Sequence, residues 1–298
     1  MTHASERAAR LGVGVVSAGR VGSVLGAALA AAGHQIIATS GVSRASVKRA
    51  EALLPDVPLR PPDEVARQAD LVVLAVPDDV LPGLVTGLAS ADCFRPGQIV
   101  VHTSGAYGVG VLEPAARHRV LPLALHPVMT FTGRAEDVQR LASCSVGVTA
   151  EEADEAAWSV GEALVVEMGA EPVRVAERVR PLYHAAIAHG ANHLATLVAD
   201  AVQTLRQAGV EPAERLVAPL LSAALDNVLR HGDRALTGPV ARGDVGTVRK
   251  HLGELSRHAP ELIDSYRTLA ERTAHRAAGA GLLDEHAAAD VLAALKEH

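Results

Sequence analysis

The chain has 298 residues, 49% of them hydrophobic and only 2% aromatic, with a formal charge of −6 at neutral pH. That is enough apolar material for one large core or two ordinary ones, built from Ala, Val and Leu rather than from rings. The acidic balance argues against a nucleic-acid partner, which leaves a basic footprint; "MTHASERAAR" at the N-terminus has no apolar core of signal-peptide length and no later run approaches a membrane span, so a cytoplasmic protein with no membrane partner is expected.

The run "LGVGVVS" (11–17) leads through Ser17, Ala18, Gly19, Arg20, Val21 and Gly22 into "VLGAALAAAG". This is the strand, turn and helix of a dinucleotide loop, with serine where G-x-G-x-x-G has its first glycine. Gly19 and Gly22 keep the places that let a pyrophosphate approach and a helix pack on its strand. Serine is small enough for the turn as long as its φ stays negative, so residues 17–22 are expected to bind the cofactor. The second run, "QIIATS" (35–40), is followed by Ser43, Arg44 and Ser46 where a carboxylate would hold a free ribose. A guanidinium and two hydroxyls suit a 2′-phosphate, which selects NADP(H).

Further branched runs follow at 70–77, 98–104, 120–127 and 145–149, with "ASVKRAEALL" and "VLPGLVTGLA" as crossover helices. Strands this apolar are covered on both faces, so the expected class is α/β, a Rossmann doubly wound parallel sheet over residues 10–174. From 175 to 298 the pattern is all-helical, beginning with "RPLYHAAIAHGANHLATLVADAVQTLRQAG". "AEPVRVAERVRP" reads as the hinge. The Ala- and Leu-rich helices of the second part suggest a homodimer formed through it.

In such sheets the chemistry lies beyond the carboxyl ends of the strands. "VPDD" falls there, with Val76 and Pro77 expected beside the nicotinamide ribose, as do "HTSGA" and "HPVMTFTG". Reduction of a carbonyl needs a proton donor within reach of the developing alkoxide, and histidine suits that task. Ser104 and His126, at the ends of two runs, could face one substrate. His184 competes with His126, and its spacing to Ala188 and Asn192 makes a two-turn inward stripe. His102 sits inside its strand and reads as structural. His189 and His193 could hold a metal from one helix face, but no third ligand is evident and no metal is expected. In "LTGPVARGD", Thr237 and Arg242 are candidates for a substrate carboxylate, and Asp244 for a helix cap. Cys93 and Cys144 are expected to be reduced and packed.

The order of these motifs, a Rossmann loop, "LAVPD", "HTSGA", "HPVMTF", "YHAA....N" and "LTGPVARGD", resembles oxidoreductases that join a Rossmann-like domain to a C-terminal domain of unknown function. The resemblance covers nearly the whole chain and implies kinship with the 6-phosphogluconate dehydrogenase superfamily, including ketopantoate reductase, pyrroline-carboxylate reductase and prephenate dehydrogenase. Ser104 and His126-Pro127 resemble the serine and the H-P-x-x-G histidine of prephenate dehydrogenases, although Gly133 comes too late for a full match. Asn192 matches the asparagine of the K-x-x-x-N helix of ketopantoate reductases, but Ala188 stands in the lysine's place, so His184 or His126 would have to replace it. The resemblance implies NADPH-dependent reduction of a small anionic 2-oxo acid or related carbonyl, ketopantoate being the best single candidate. The same residues would serve oxidation of a prephenate-type substrate, and a non-catalytic NADP(H)-binding sensor could use the same fold.

Overall fold

The computed structural model describes residues 10–297. Its first part alternates strands and helices: β1 (Gly12–Val16), α1 (Arg20–Ala31), β2 (Gln35–Thr39), α2 (Arg44–Leu53), α3 (Pro62–Gln68), β3 (Leu71–Leu74), α4 (Leu81–Ser90), β4 (Ile99–His102), α5 (Glu113–Ala116), β5 (Leu121–Pro127), α6 (Ala135–Leu141), β6 (Ser145–Thr149), α7 (Glu155–Glu167) and β7 (Glu171–Arg174). The seven strands form one sheet in the order β2-β1-β3-β4-β5-β6-β7. β1 to β5 pair in parallel, as expected, but β6 runs antiparallel to β5, with His126 opposite Gly147. The sheet is the expected doubly wound one, mostly parallel, and β7 occupies residues assigned to the hinge. That strand is edge-lying and largely exposed, so it lacks the apolar run by which the inner strands declare themselves.

Side chains alternate across the inner strands as the pleat requires. Val13, Val15, Val73, Val101 and Leu123 meet α1, α6 and α7 on one face. Val16, Val72, Leu74 and Val100 meet α3 and α4 on the other. The chain goes outward from β1 to β2 and then returns to β3 on the opposite side of β1, so the order reverses between β1 and β3. At such a switch point the two adjoining loops part and leave a crevice at the carboxyl edge.

The rest is helical: α8 (Arg180–Gln207), α9 (Ala213–His231), α10 (Gly238–Ala241), α11 (Val245–His258), α12 (Ile263–Gly279) and α13 (Glu285–Ala294). Two compact units are separable, residues 1–189 and 190–298. In the second unit, Val248, Leu252, Ala274, Ala277, Val291 and Leu295 make the core of α10 to α13. α9 takes almost no part in it: among its 19 residues only Ala213 is buried. Cys93 and Cys144 are both buried and unbonded. No described helix is long and apolar enough to cross a membrane.

Candidate active site at the carboxyl edge of the sheet

The β1–α1 loop is held from the end of β2. The backbone N–H of Ser17 donates to Ser40 Oγ at 2.8 Å, and that of Ala18 donates to the Ser40 carbonyl at 2.6 Å. Held this way, Ser17 has φ +79°, in the left-handed region, where a negative φ was expected. The turn needs what glycine gives, and serine occupies it under strain of about 1–2 kcal/mol. Ser17→Gly should therefore raise stability by roughly 0.5–1 kcal/mol once glycine's extra unfolded-state freedom is deducted. A rise of a few degrees in thermal midpoint is the expected result, and a fall would mean that the hydroxyl supports the loop. Gly22 is required by packing, since a Cβ there would come within 2.1 Å of the Ser17 carbonyl. Gly19 is under no such constraint, since a built Cβ there would make only ordinary contact, 3.4 Å from Ser17 Oγ. It is the N-cap of α1 and supplies no side-chain cap, so the first amides of that helix are left for another acceptor.

At the end of β2, Ser43 and Ser46 form a reciprocal capping box on α2. The Ser46 hydroxyl is buried and donates to the Ser43 carbonyl at 2.8 Å, while Ser43 and Arg44 stand exposed. Arg44 thus remains accessible, whereas both hydroxyls are engaged in the cap, that of Ser43 accepting from the Ser46 amide at 3.0 Å and donating to Ser46 Oγ at 3.1 Å.

A cavity of about 460 Å³ opens at this edge, lined by the Ser17–Val21 loop, by Val76, Pro77 and Asp78 after β3, and by Ser104, His126 and His184. Ser104 Oγ accepts from the amides of Ala106 at 3.2 Å and Tyr107 at 3.1 Å, closing a turn that aims the residue at the cavity. Gly105 lets both histidines approach, because a Cβ there would lie 2.5 Å from His184 Cδ2 and 2.8 Å from His126 Nε2. The rings of His126 and His184 are 5.8 Å apart, edge to face. His126 Nδ1 and the Tyr183 hydroxyl are 2.8 Å apart.

Behind this wall lies Arg180, fully buried. Its Nη2 donates to the Ser104 carbonyl at 2.6 Å and its Nη1 to Thr149 Oγ1 at 2.7 Å, while Nε has no partner. Among the described residues no carboxylate pairs with this guanidinium. Burial first, then Arg180 and His184, hold the His126 imidazole down at about 4, so it is neutral at physiological pH. Burial raises the Tyr183 phenol above its ordinary range.

His102 is buried within β4, its Nε2 bonded to the Gly108 carbonyl at 2.9 Å and its Nδ1 accepting from the Ser104 amide at 3.2 Å. It has no free atom to offer a substrate. Asn192, Thr237 and Arg242 do not line this cavity; all three belong to the second unit and are exposed. The stripe from His184 does not stay inward, since Asn192 faces solvent where burial was expected. Asp244 caps α11 through the Thr247 amide at 3.0 Å. Among the described residues no three or more His, Cys, Asp or Glu side chains gather as a metal site. Tyr183, Arg180 and Asp78 are the site residues that sequence reasoning left without a role; Arg180, Tyr183 and His184 share one helix face at i, i+3 and i+4, a spacing that could have flagged them together.

Two family models match. Residues 1–127 match the Rossmann-like domain, and residues 144–273 match DUF2520, a domain of unknown function. The chain joins a Rossmann-like domain to a DUF2520 domain. Arg180, Tyr183 and His184 therefore come from the DUF2520 segment, and Ser17 to His126 from the Rossmann-like one. No curated protein matches the chain. Among solved structures, a candidate NADP oxidoreductase from Bacteroides fragilis is similar at 19% identity and TM-score 0.73, over 89% of this chain and 98% of that one. An imine reductase from Pseudomonas sp. is similar at 20% identity and TM-score 0.64, over 96% and 100%. A pyrroline-carboxylate reductase from Plasmodium falciparum, solved with NADP bound, is similar at 13% identity and TM-score 0.55, over 94% and 98%. At these identities the shared property is the fold.

Proposed function

We propose that this protein is an NADPH-dependent oxidoreductase that reduces a small carbonyl compound, a 2-oxo acid in the first instance and ketopantoate as the leading candidate. The observation that carries the reading is the single cavity lined both by the uncapped Ser17–Val21 loop and by Ser104, His126 and His184. The names of the similar structures support it, one being an imine reductase and another a reductase solved with NADP. We assign cofactor binding to residues 10–174 and subunit contact to residues 175–298.

The residues fit the dinucleotide. Gly19 leaves room at the uncapped start of α1 for a pyrophosphate, and Arg44 with Ser43 stands at the end of β2 for a 2′-phosphate. Bound there, the reduced nicotinamide supplies a hydride. His126 holds a proton for the substrate oxygen, and the Ser104 hydroxyl, which accepts twice but has its own proton to give, orients that oxygen. The unpaired Arg180 behind Ser104 favours an anionic substrate through its field. Fluorescence titration tests the cofactor half: Arg44→Ala should weaken NADPH by about 10- to 100-fold, the loss of one charge-assisted phosphate contact, and leave NADH nearly unchanged. Equal losses for both would remove Arg44 from the phosphate site.

The working form in this reading is a homodimer. Leu216, Leu220, Leu225 and Leu229 of α9 are all exposed, Leu229 by 77%. Most of a helix's stability in a protein comes from packing of its apolar face, which α9 does not find within its own chain. The second unit also carries an apolar groove of about 610 Å³, lined by Leu197, Leu205, Leu255, Leu262 and Leu269. A chain that offers both a bare leucine helix and an unfilled leucine groove is self-complementary, as a two-fold interface requires.

A further inference from the structure

We infer that Tyr183 supplies the proton that His126 delivers, acting through Nδ1 of the imidazole while Nε2 faces the cavity. This rests on the reductase reading above and adds to it a residue with no contact to the substrate. The arrangement is built from three elements. His126 ends β5, Tyr183 reaches it from α8, and Gly147 of β6 makes the room, since a Cβ there would lie 2.5 Å from the phenolic oxygen. The rings meet edge to face with centroids 5.6 Å apart.

Donor accounting chooses the direction of the 2.8 Å contact. If the phenol donates to Nδ1, both groups are satisfied, and the imidazole proton sits on Nε2, beside Gly105 and the cavity. If Nδ1 donated instead, the phenolic proton would have no acceptor among the described residues. Charge favours the same arrangement. The charged and titratable groups acting on this pair are Arg180 and His184 from α8, Asp78 from the turn after β3 and His102 from β4, with Glu177 just before α8 acting on Arg180. The Arg180 guanidinium lies 5.8 Å from the Tyr183 ring centroid. It opposes a second cation on His126 and partly offsets the burial that raises the Tyr183 phenol.

The transfer then balances. The electron pair reaches the substrate carbon with the hydride. The Nε2–H bond breaks and its proton goes to the substrate oxygen, while the Tyr183 O–H bond breaks and its proton goes to Nδ1. His126 remains neutral throughout with its tautomer exchanged and Tyr183 is left as a phenolate; the cycle closes when water in the cavity gives a proton to Nε2, releasing hydroxide, and the Nδ1 proton returns to the Tyr183 oxygen. No imidazolium is required, which matters because burial holds that form scarce at neutral pH. Tyr183 is thus a positioning residue that also stores the proton.

Nitrogen-15 NMR of the histidine rings tests this on the substrate-free protein at pH 7, with His126→Gln used to assign the resonance. The expected result is a single Nε2–H tautomer for His126, relaxing to a mixture in Tyr183→Phe. Kinetics of the same conservative variant should show kcat lowered by about 10- to 100-fold, with the NADPH dissociation constant unchanged. A wild-type Nδ1–H tautomer, or a Tyr183→Phe protein with unaltered tautomer and kcat, would overturn the inference. The tautomer is read without turnover, so a reversed tautomer removes the relay while leaving the reductase reading in place. A correct tautomer in a protein that consumes no NADPH would remove the reductase reading and the relay with it, leaving only the direction of the Tyr183–His126 hydrogen bond.

Discussion

The double substitution Leu216→Asp, Leu220→Asp should convert the protein in solution from twice the chain mass to the chain mass. Both leucines are more than half exposed and lie one turn apart on α9, a helix that buries only Ala213 within its own chain. Covering one leucine is worth about 2 kcal/mol, and a two-fold interface counts each substitution twice, so the loss is roughly 8 kcal/mol, or about 10⁵- to 10⁶-fold in dissociation constant. Static light scattering read together with circular dichroism checks it. A dimer that survives both charges would show that α9 is covered by something else. A wild-type monomer at micromolar concentration would contradict the self-complementary reading outright.

The second large effect is expected at His126. His126→Ala should lower kcat/KM by about 10²- to 10⁴-fold, the usual worth of a positioned proton donor, and leave NADPH affinity within about twofold. The pH profile distinguishes how the histidine acts. With the imidazole held at about 4, an imidazolium donor would lose rate roughly tenfold per unit above that pH and be nearly inactive at 7. A neutral Nε2–H donor fed by Tyr183 keeps a flat profile from about pH 6 to 9 and falls only where the phenol ionises, above the ordinary tyrosine range. Steady-state rates across that range decide between the two, and a profile breaking near 6.5 would mean an imidazole less buried than described here.

The fold was legible where burial leaves a strong pattern. β1 to β6 are branched runs because both of their faces are covered, and α8, α9, α11 and α12 are long periodic stretches closed by Gly or Pro. β7 escaped because it is exposed on three of its four residues, and the antiparallel entry of β6 leaves no mark on composition. The site was legible in part. Ser104 and His126 stand at strand ends, where position alone marks them. His184 follows from its place on a helix beside them. Tyr183 and Arg180 depend on which strand ends α8 meets, and spacing cannot report that. Asn192 illustrates the converse: its two-turn separation from His184 fixes a helix face, but not whether anything covers that face. Ser17 misled for a physical reason. Its size suits the turn, and only the hold of Ser40 on the loop reveals that the backbone there is left-handed.

The most direct measurement is NADPH oxidation by the wild-type protein across a panel of 2-oxo acids, including ketopantoate, and cyclic imines, with NADH and His126→Ala run alongside. Turnover with NADPH on at least one panel member, poor with NADH and collapsing in the variant, is the predicted result. Failure of the wild-type protein to bind NADPH, or turnover that His126→Ala leaves intact, would contradict the assignment of this cavity as a reductase site.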